Sequence, residues 1–168
     1  EALYQACRFP LRREVQELII AQKSPMAAKM KSKLHRRDSR EDWSEIQVKI
    51  MRWCLKVKLA QNWDAFSRLL RKTENRPIVE ESRRGDFWGA RPVNEYTLIG
   101  QNALGRLLME LRQVVETEDK ESLLRVEPPP DIPNFLLYGR PIEVVTEQNS
   151  TVAEPIESSD TTQPSLFD

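Results

Sequence analysis

The sequence predicts an α+β fold that is mostly helical, with a small sheet. Three observations carry that expectation. Apolar residues recur at helical spacing in several stretches, most clearly between Trp43 and Gln61. Only brief runs such as Ile78-Val79-Glu80 have the look of a strand. The 168 residues suffice for one domain with a real core, and not comfortably for two.

The elements follow in order. Glu1 to Phe9 is apolar and aromatic, has a helical pattern, and meets Pro10. The chain opens on Glu1 rather than Met, inside that pattern, so further strands are expected upstream of it. Leu11 to Ala21 forms a short amphipathic helix on Val15, Leu18 and Ile19. Ser24-Pro25 starts another, with Ser as cap, Pro at the first helical position, and Met26, Ala27 and Met30 facing inward. A basic loop, KSKLHRRDSR, leads to the strongest helix, whose inner stripe is Ile46, Ile50, Cys54 and Val57 with Trp43 and Trp53 at its edges. Trp63 to Arg71 packs through Phe66, Leu69 and Leu70. A loop with Gly, Pro and aromatics spans Ser82 to Thr97, and a last amphipathic helix starts at Asn102 with Leu104, Leu107, Leu108 and Leu111 inward. Pro128-Pro129-Pro130 ends any helix, and Phe135 to Val145 is a strand pair or an extended arm docked on the body. Beyond Thr146 the chain is rich in Ser, Thr and Glu, a composition expected to be disordered.

The zero net charge conceals an asymmetry. Residues 1–76 hold 18 Lys and Arg against 9 Asp and Glu, whereas residues 77–168 hold 8 against 17. A basic half suits a polyphosphate or nucleic-acid ligand, although a solvated helical surface would have the same composition. Cys7 and Cys54 lie far apart with no metal spacing, as expected of buried, reduced thiols in a cytoplasmic protein. The single histidine, His35, sits in the basic loop with nothing to support a Ser-His or Cys-His pair. No metal site and no cofactor are therefore expected, and the chemistry falls to carboxylates, lysine or both. No apolar run could span a bilayer and no signal-peptide pattern is visible, so no membrane partner is expected.

Three blocks, in order and at workable spacing, carry a family resemblance. The first is EALYQACRF, a glutamate followed by an aromatic-rich run ending in Phe9. The second is SPMAAKMKSK from Ser24, followed by a Trp-bearing helix ending in WCLKVKLAQN. The third is IVEESRRGDFWG, followed by GQNALGRLLMELR up to Arg112. Together they resemble the NADAR family, which includes the YbiA-like N-glycosidases of riboflavin-biosynthesis intermediates and glycohydrolases acting on ADP-ribosylated nucleobases. Two departures stand out. Arg8 occupies a position where the family commonly has lysine, and ARPVNEYTLI replaces a Gly-rich loop after FWG. The expected organisation is a NADAR-like domain over residues 1–118, an extended arm over 119–146 and a tail over 147–168.

The resemblance assigns roles, each with a plainer alternative. Glu1 is the expected catalytic carboxylate, or else a helix-start acid balancing the dipole. Asp86 and Trp88, between Gly85 and Gly89, form an acid-base group and a stacking wall beside a backbone free to approach a ligand, or else a turn aspartate and a core tryptophan. Lys58, one turn after Cys54, is an inward lysine able to meet phosphate or form a Schiff base, or else a surface lysine with a buried stem. Asn102 and Gly105 mark a helix N-terminus able to take a phosphate, or else a cap and a close-packing glycine. Ser24 is a cap first and a phosphate contact second, and Arg112 is expected to pair with core carboxylates.

The chain ends in QPSLFD, in which Gln163, Leu166 and Phe167 resemble the short motif by which bacterial replication and repair proteins bind the sliding clamp. The function implied is scission of a ribose C1–N bond, with ADP-ribose on a nucleobase such as guanine as substrate and DNA as a partner. Riboflavin-biosynthesis ribosyl intermediates are the alternative substrate. Two further readings are a non-catalytic ADP-ribose or NAD binding module and a clamp partner with a degenerate body.

Overall fold

Helix α4 (Trp43–Gln61) organises the molecule, because it is buried along two stripes rather than one. Ile46, Ile50, Trp53 and Val57 recur every three or four residues and face one hydrophobic cluster, while Leu59 faces a second. The computed structural model describes residues 1–82 and 85–147. Around α4 stand α1 (Ala2–Ala6), α2 (Arg13–Ile20), α3 (Pro25–Leu34), α5 (Trp63–Lys72), α6 (Ala103–Thr117) and the single turn α7 (Lys120–Leu123). None of the described helices is long and apolar enough to cross a membrane. The expected α+β, mostly helical class is what the chain adopts.

The first cluster joins α1, α2 and α4 through Ala6, Phe9, Val15, Ile19, Ile50 and Trp53. The second sets Phe66 and Leu70 of α5 against Leu111 and Val115 of α6. Ser24 caps α3 as expected, accepting from the Ala27 N–H at 3.2 Å, with Pro25 in the first turn. The inner face of α3 is not the one expected. Met26 and Met30 are 68% and 51% exposed, and the small Ala28 and Ser32 are buried in their place. Small residues there let α3 lie close against α1 and α2, a geometry that periodicity cannot see. Leu18 and Leu69 are likewise exposed, and Gln16 takes the inner position on α2. Arg112 is buried, but Nη1 donates to Thr73 Oγ1 at 2.7 Å and the Arg76 carbonyl at 2.9 Å rather than to a carboxylate. It satisfies the loop that follows α5.

The sheet content is small and divided, and only the strand pair expected between Phe135 and Val145 falls where the sequence put it. Ile78 to Glu80 is extended without being a strand, and Glu81 makes only an isolated bridge with Ala90. The expected loop instead contains an antiparallel hairpin of β1 (Arg91–Asn94) and β2 (Thr97–Ile99), exposed along its whole length. Farther on, β3 (Arg125–Val126) pairs with β6 (Val145–Thr146) and β4 (Leu136–Leu137) with β5 (Arg140–Pro141), each antiparallel. The β4–β5 turn places Tyr138 at φ 54° and Gly139 at φ 77°, the two positive φ values that a tight hairpin of matching twist demands.

The stretch expected as an arm is packed into the body. Val126, Ile132, Phe135, Leu137, Ile142 and Val145 belong to the first cluster, and the Phe135 ring meets Trp53 edge-on at 4.9 Å. Polar groups fasten it too. Gln16, fully buried, donates to the carbonyls of Ala6 (3.2 Å) and Leu136 (2.9 Å) and accepts from the Tyr138 N–H at 2.7 Å. Every hydrogen-bonding position on that side facing the 136–138 segment is thereby used. Arg40 adds a bond to the Pro133 carbonyl, and Lys49 pairs with Asp131.

Replacing Gln16 with Leu should strand the Leu136 carbonyl and the Tyr138 N–H in the interior, since the Ala6 carbonyl keeps its bond from the Phe9 N–H, at a cost of about 2–4 kcal/mol. Thermal unfolding should then fall by roughly 5–15 °C, with residues 130–145 becoming the first site of limited proteolysis. An unchanged melting temperature would count against the docking bond.

Candidate active site

Four polar residues recur along the outer side of the first helix. Glu1, Tyr4, Gln5 and Arg8 are spaced as one helical face, and all four line a cleft of about 320 Å³. A second row with the same spacing faces them from α3 and the 3₁₀ turn that follows it: Lys29, Ser32, Lys33 and Arg36. The floor comes from α4 through Trp43, Gln47 and Met51. The remaining wall comes from Glu80, Ser82 and the 85–89 segment with Phe87 and Trp88, closed by Leu104.

The aromatic groups form a connected set. Tyr4 sits 5.0 Å from Trp43 and edge-on at 5.6 Å from Trp88, which in turn meets Phe87 at 5.0 Å. The Arg8 guanidinium lies over Trp43 at 5.2 Å and donates from Nε to Ser39 Oγ at 2.7 Å. Burial holds this guanidinium below the ordinary arginine value, and the neighbouring Arg36 charge pushes the same way. Two cations that repel each other at the mouth of a cleft favour an anion between them. Burial pushes the Tyr4 hydroxyl up, so it stays protonated. It also pushes the Cys54 thiol up to about 12, and Cys7 is raised as well, which leaves no ready thiolate near the cleft.

Trp88 and Gly89 are held by a backbone clamp. The amides of Gln101, Asn102, Ala103 and Leu104 donate to the carbonyls of Asp86 (2.5 Å), Gly89 (3.1 Å), Phe87 (2.9 Å) and Trp88 (3.0 Å). Asn102 adopts the left-handed conformation (φ 51°), which turns its side chain onto the preceding segment. There Oδ1 accepts from the Glu80 N–H at 3.0 Å and Nδ2 donates to the Ile78 carbonyl at 2.8 Å. A Cβ on Gly89 would overlap the Glu80 carbonyl, and one on Gly105 would overlap that of Ile78. Both glycines are there for close backbone approach.

Of the residues expected at the site, Glu1, Trp88 and Gly89 come together in the cleft. The rest lie outside it. Asp86 is exposed, because the turn at Gly85 (φ 83°) sends its side chain away while Trp88 turns in. Lys58 is exposed rather than inward, its ammonium lying 4.4 Å from the Phe66 ring centroid between α4 and α5. Ser24 is exposed and occupied by its capping bond. Asn102 and Gly105 do not form an open anion site, since carbonyls of the 86–89 loop consume the amides at the start of α6. Gln163, Leu166 and Phe167 lie outside the described residues. Missed from sequence were Tyr4, Gln5, Arg8, the Lys29–Arg36 row and Glu80. Two facing rows of polar residues at helical spacing are the signal that could have found them. A shallow depression lined by Trp63, Ser67 and Arg71 on the outer face of α5 lacks such opposed walls.

The NADAR domain matches residues 1–116, and the chain belongs to that family. It is 30% identical over 118 residues to the N-glycosidase YbiA of Escherichia coli (strain K12), covering 70% of each chain. It is 28% identical over 143 residues to a riboflavin biosynthesis protein of Vibrio vulnificus (strain YJ016), covering 83% of this chain and 37% of that protein. Over 73 residues, 44% of this chain and 11% of the other, it is 36% identical to the chloroplastic riboflavin biosynthesis protein PYRR of Arabidopsis thaliana. The chain thus spans little more than a third of the Vibrio protein. No solved structure matches it.

Asn102→Ala should release the Ile78–Glu80 segment and cost about 1–3 kcal/mol. Amide exchange at Ala103 and Leu104 should accelerate in parallel, and exchange rates equal to wild type would show that the clamp does not depend on this side chain.

Proposed function

We propose that this protein is an N-glycosidase that cleaves the bond between a ribose C1 and a nitrogen, releasing ADP-ribose from a nucleobase. One observation carries the proposal: two glutamates, a set of aromatic rings packed edge-on and tilted, and four cations line a single sugar-sized cleft. Glu1 and Glu80 supply the carboxylates, Tyr4, Trp43 and Trp88 the aromatic surface, and Arg8, Lys29, Lys33 and Arg36 the positive charge. The relatives named N-glycosidase support the reaction class.

The chemistry matches these groups. Scission moves the C1–N electron pair onto the departing base and leaves positive charge shared between C1 and the ring oxygen. An anionic Glu1 stabilises that charge and accepts the proton that water loses as its oxygen bonds to C1. The proton that water gives up ends on the leaving nitrogen, carried by Glu1 or relayed through Glu80, the second carboxylate of the cleft. The aromatic wall holds a planar base by stacking. Three cations on the α3 side with Arg8 across from them suit a diphosphate more than a lone monophosphate, which favours ADP-ribose. The relatives named for riboflavin biosynthesis support a phosphorylated ribosyl intermediate as the second reading.

The deciding assay incubates the protein with ADP-ribosylated guanine in DNA, its mononucleotide counterpart and riboflavin-pathway ribosyl intermediates, with mass-spectrometric detection of released base and sugar. Glu1→Gln should lower kcat by about a hundredfold or more, the scale of a lost carboxylate in such a transition state. Turnover of none of the three by the wild-type protein, with binding retained, would favour a non-catalytic ADP-ribose module. Lys33→Glu combined with Arg36→Glu should raise KM about tenfold at low salt and less at 0.5 M, with kcat nearly constant. Equal effects on KM at both salt concentrations would remove the phosphate role.

A further inference from the structure

Two polar side chains beneath the cleft are almost completely withdrawn from water, Ser32 at 1% exposure and Gln5 at 7%. They are joined in a chain of fixed polarity. The Ser32 hydroxyl donates to Gln5 Oε1 at 2.5 Å, and Gln5 Nε2 donates to Glu1 Oε1 at 2.9 Å. We infer that Ser32 and Gln5 are positioning residues that present the Glu1 carboxylate to the substrate as an oriented anion. This rests on the proposed role of Glu1.

The argument is one of direction. A glutamine amide has an oxygen that only accepts and a nitrogen that only donates. Flipped, Gln5 would set its oxygen against the Glu1 carboxylate, two acceptors with no proton between them. The acceptor-only carboxylate therefore holds the nitrogen toward Glu1, and the Ser32 hydroxyl donates to the Oε1 left on the other side, so that neither end of the amide is buried without a partner. Glu1 Oε2 has no hydrogen-bond partner among the described residues. Among the described residues one oxygen is therefore held by the protein, and the other has no partner there that would compete with the ribose or the attacking water. Neither α1 nor α3 requires the relay for its own backbone bonding, since both polar groups lie on side chains between the helices.

The test uses Ser32→Ala, Gln5→Met and the hydroxyl-retaining Ser32→Thr in the full chain. Removing a positioning bond should reduce kcat about tenfold while leaving KM within about twofold. Ser32→Thr should restore kcat. A loss of folded protein alone would lower the rate only in proportion to the folded fraction, and an unchanged kcat per folded molecule in Ser32→Ala overturns the inference even if Gln5→Met fails to fold. An independent measurement is solvent exchange of the Gln5 side-chain NH₂ protons in ¹⁵N-labelled protein, protected in wild type and exposed in Ser32→Ala. If wild-type protein cleaves none of the substrates, the glycosidase reading fails and the exchange measurement alone decides the relay, with unchanged protection refuting it.

Discussion

The first helix must be dry on one side and wet on the other within two turns, and the rest of the molecule is arranged around that requirement. Ala6, Cys7 and Phe9 are sealed in the core, while Glu1, Tyr4, Gln5 and Arg8 form a wall of the cleft. A segment this short has no stability of its own. It is held because α2, α4 and the 126–145 segment cover its apolar side, with Gln16 binding the Ala6 carbonyl at the centre of the contact. The carboxylate at its start is only as well placed as that packing makes it. Residues far from the cleft in sequence, such as Phe135 and Leu137, thereby share in fixing its geometry.

The opposite wall is made by different means. Instead of apolar burial, it relies on backbone groups that pair segment to segment: 78–80 with the Asn102 side chain, and 86–89 with the amides of 101–104. Gly89 and Gly105 are small so that these backbones can meet, and Asn102 accepts a left-handed backbone to serve both partners. The start of a helix is usually electrostatically open to anions. Here that capacity is consumed internally, and the positive charge needed for a phosphate comes from side chains on α1 and α3 instead.

Much of this was legible in the sequence, and the failures have a common cause. Helix positions followed from apolar spacing, and Glu1, Trp88 and Gly89 followed from the family blocks. Lys58, Asp86, Met26 and Met30 were misplaced because each depends on rotation about an axis, and one residue of drift moves a side chain by 100°. Lys58 sits where α4 has turned toward α5, and Asp86 sits on a turn whose sense is set by the positive φ of Gly85. Ser32 and Gln16 were missed for another reason. Polar residues in a core reveal themselves only through their partners, Gln5 in one case and the 136–138 backbone in the other, and those partners are distant in the chain.

The β1–β2 hairpin leaves the body after Ala90 and rejoins it at Gly100, where a Cβ would overlap the Gly89 carbonyl. Its two ends are thus pinned side by side by the frame, while every residue of both strands faces solvent. Closing a pendant of this kind costs little more when it is lengthened, since each doubling adds only about 0.6 kcal/mol. The hairpin is therefore a place where a longer or different tip can be carried while the frame that pins its two ends stays as it is.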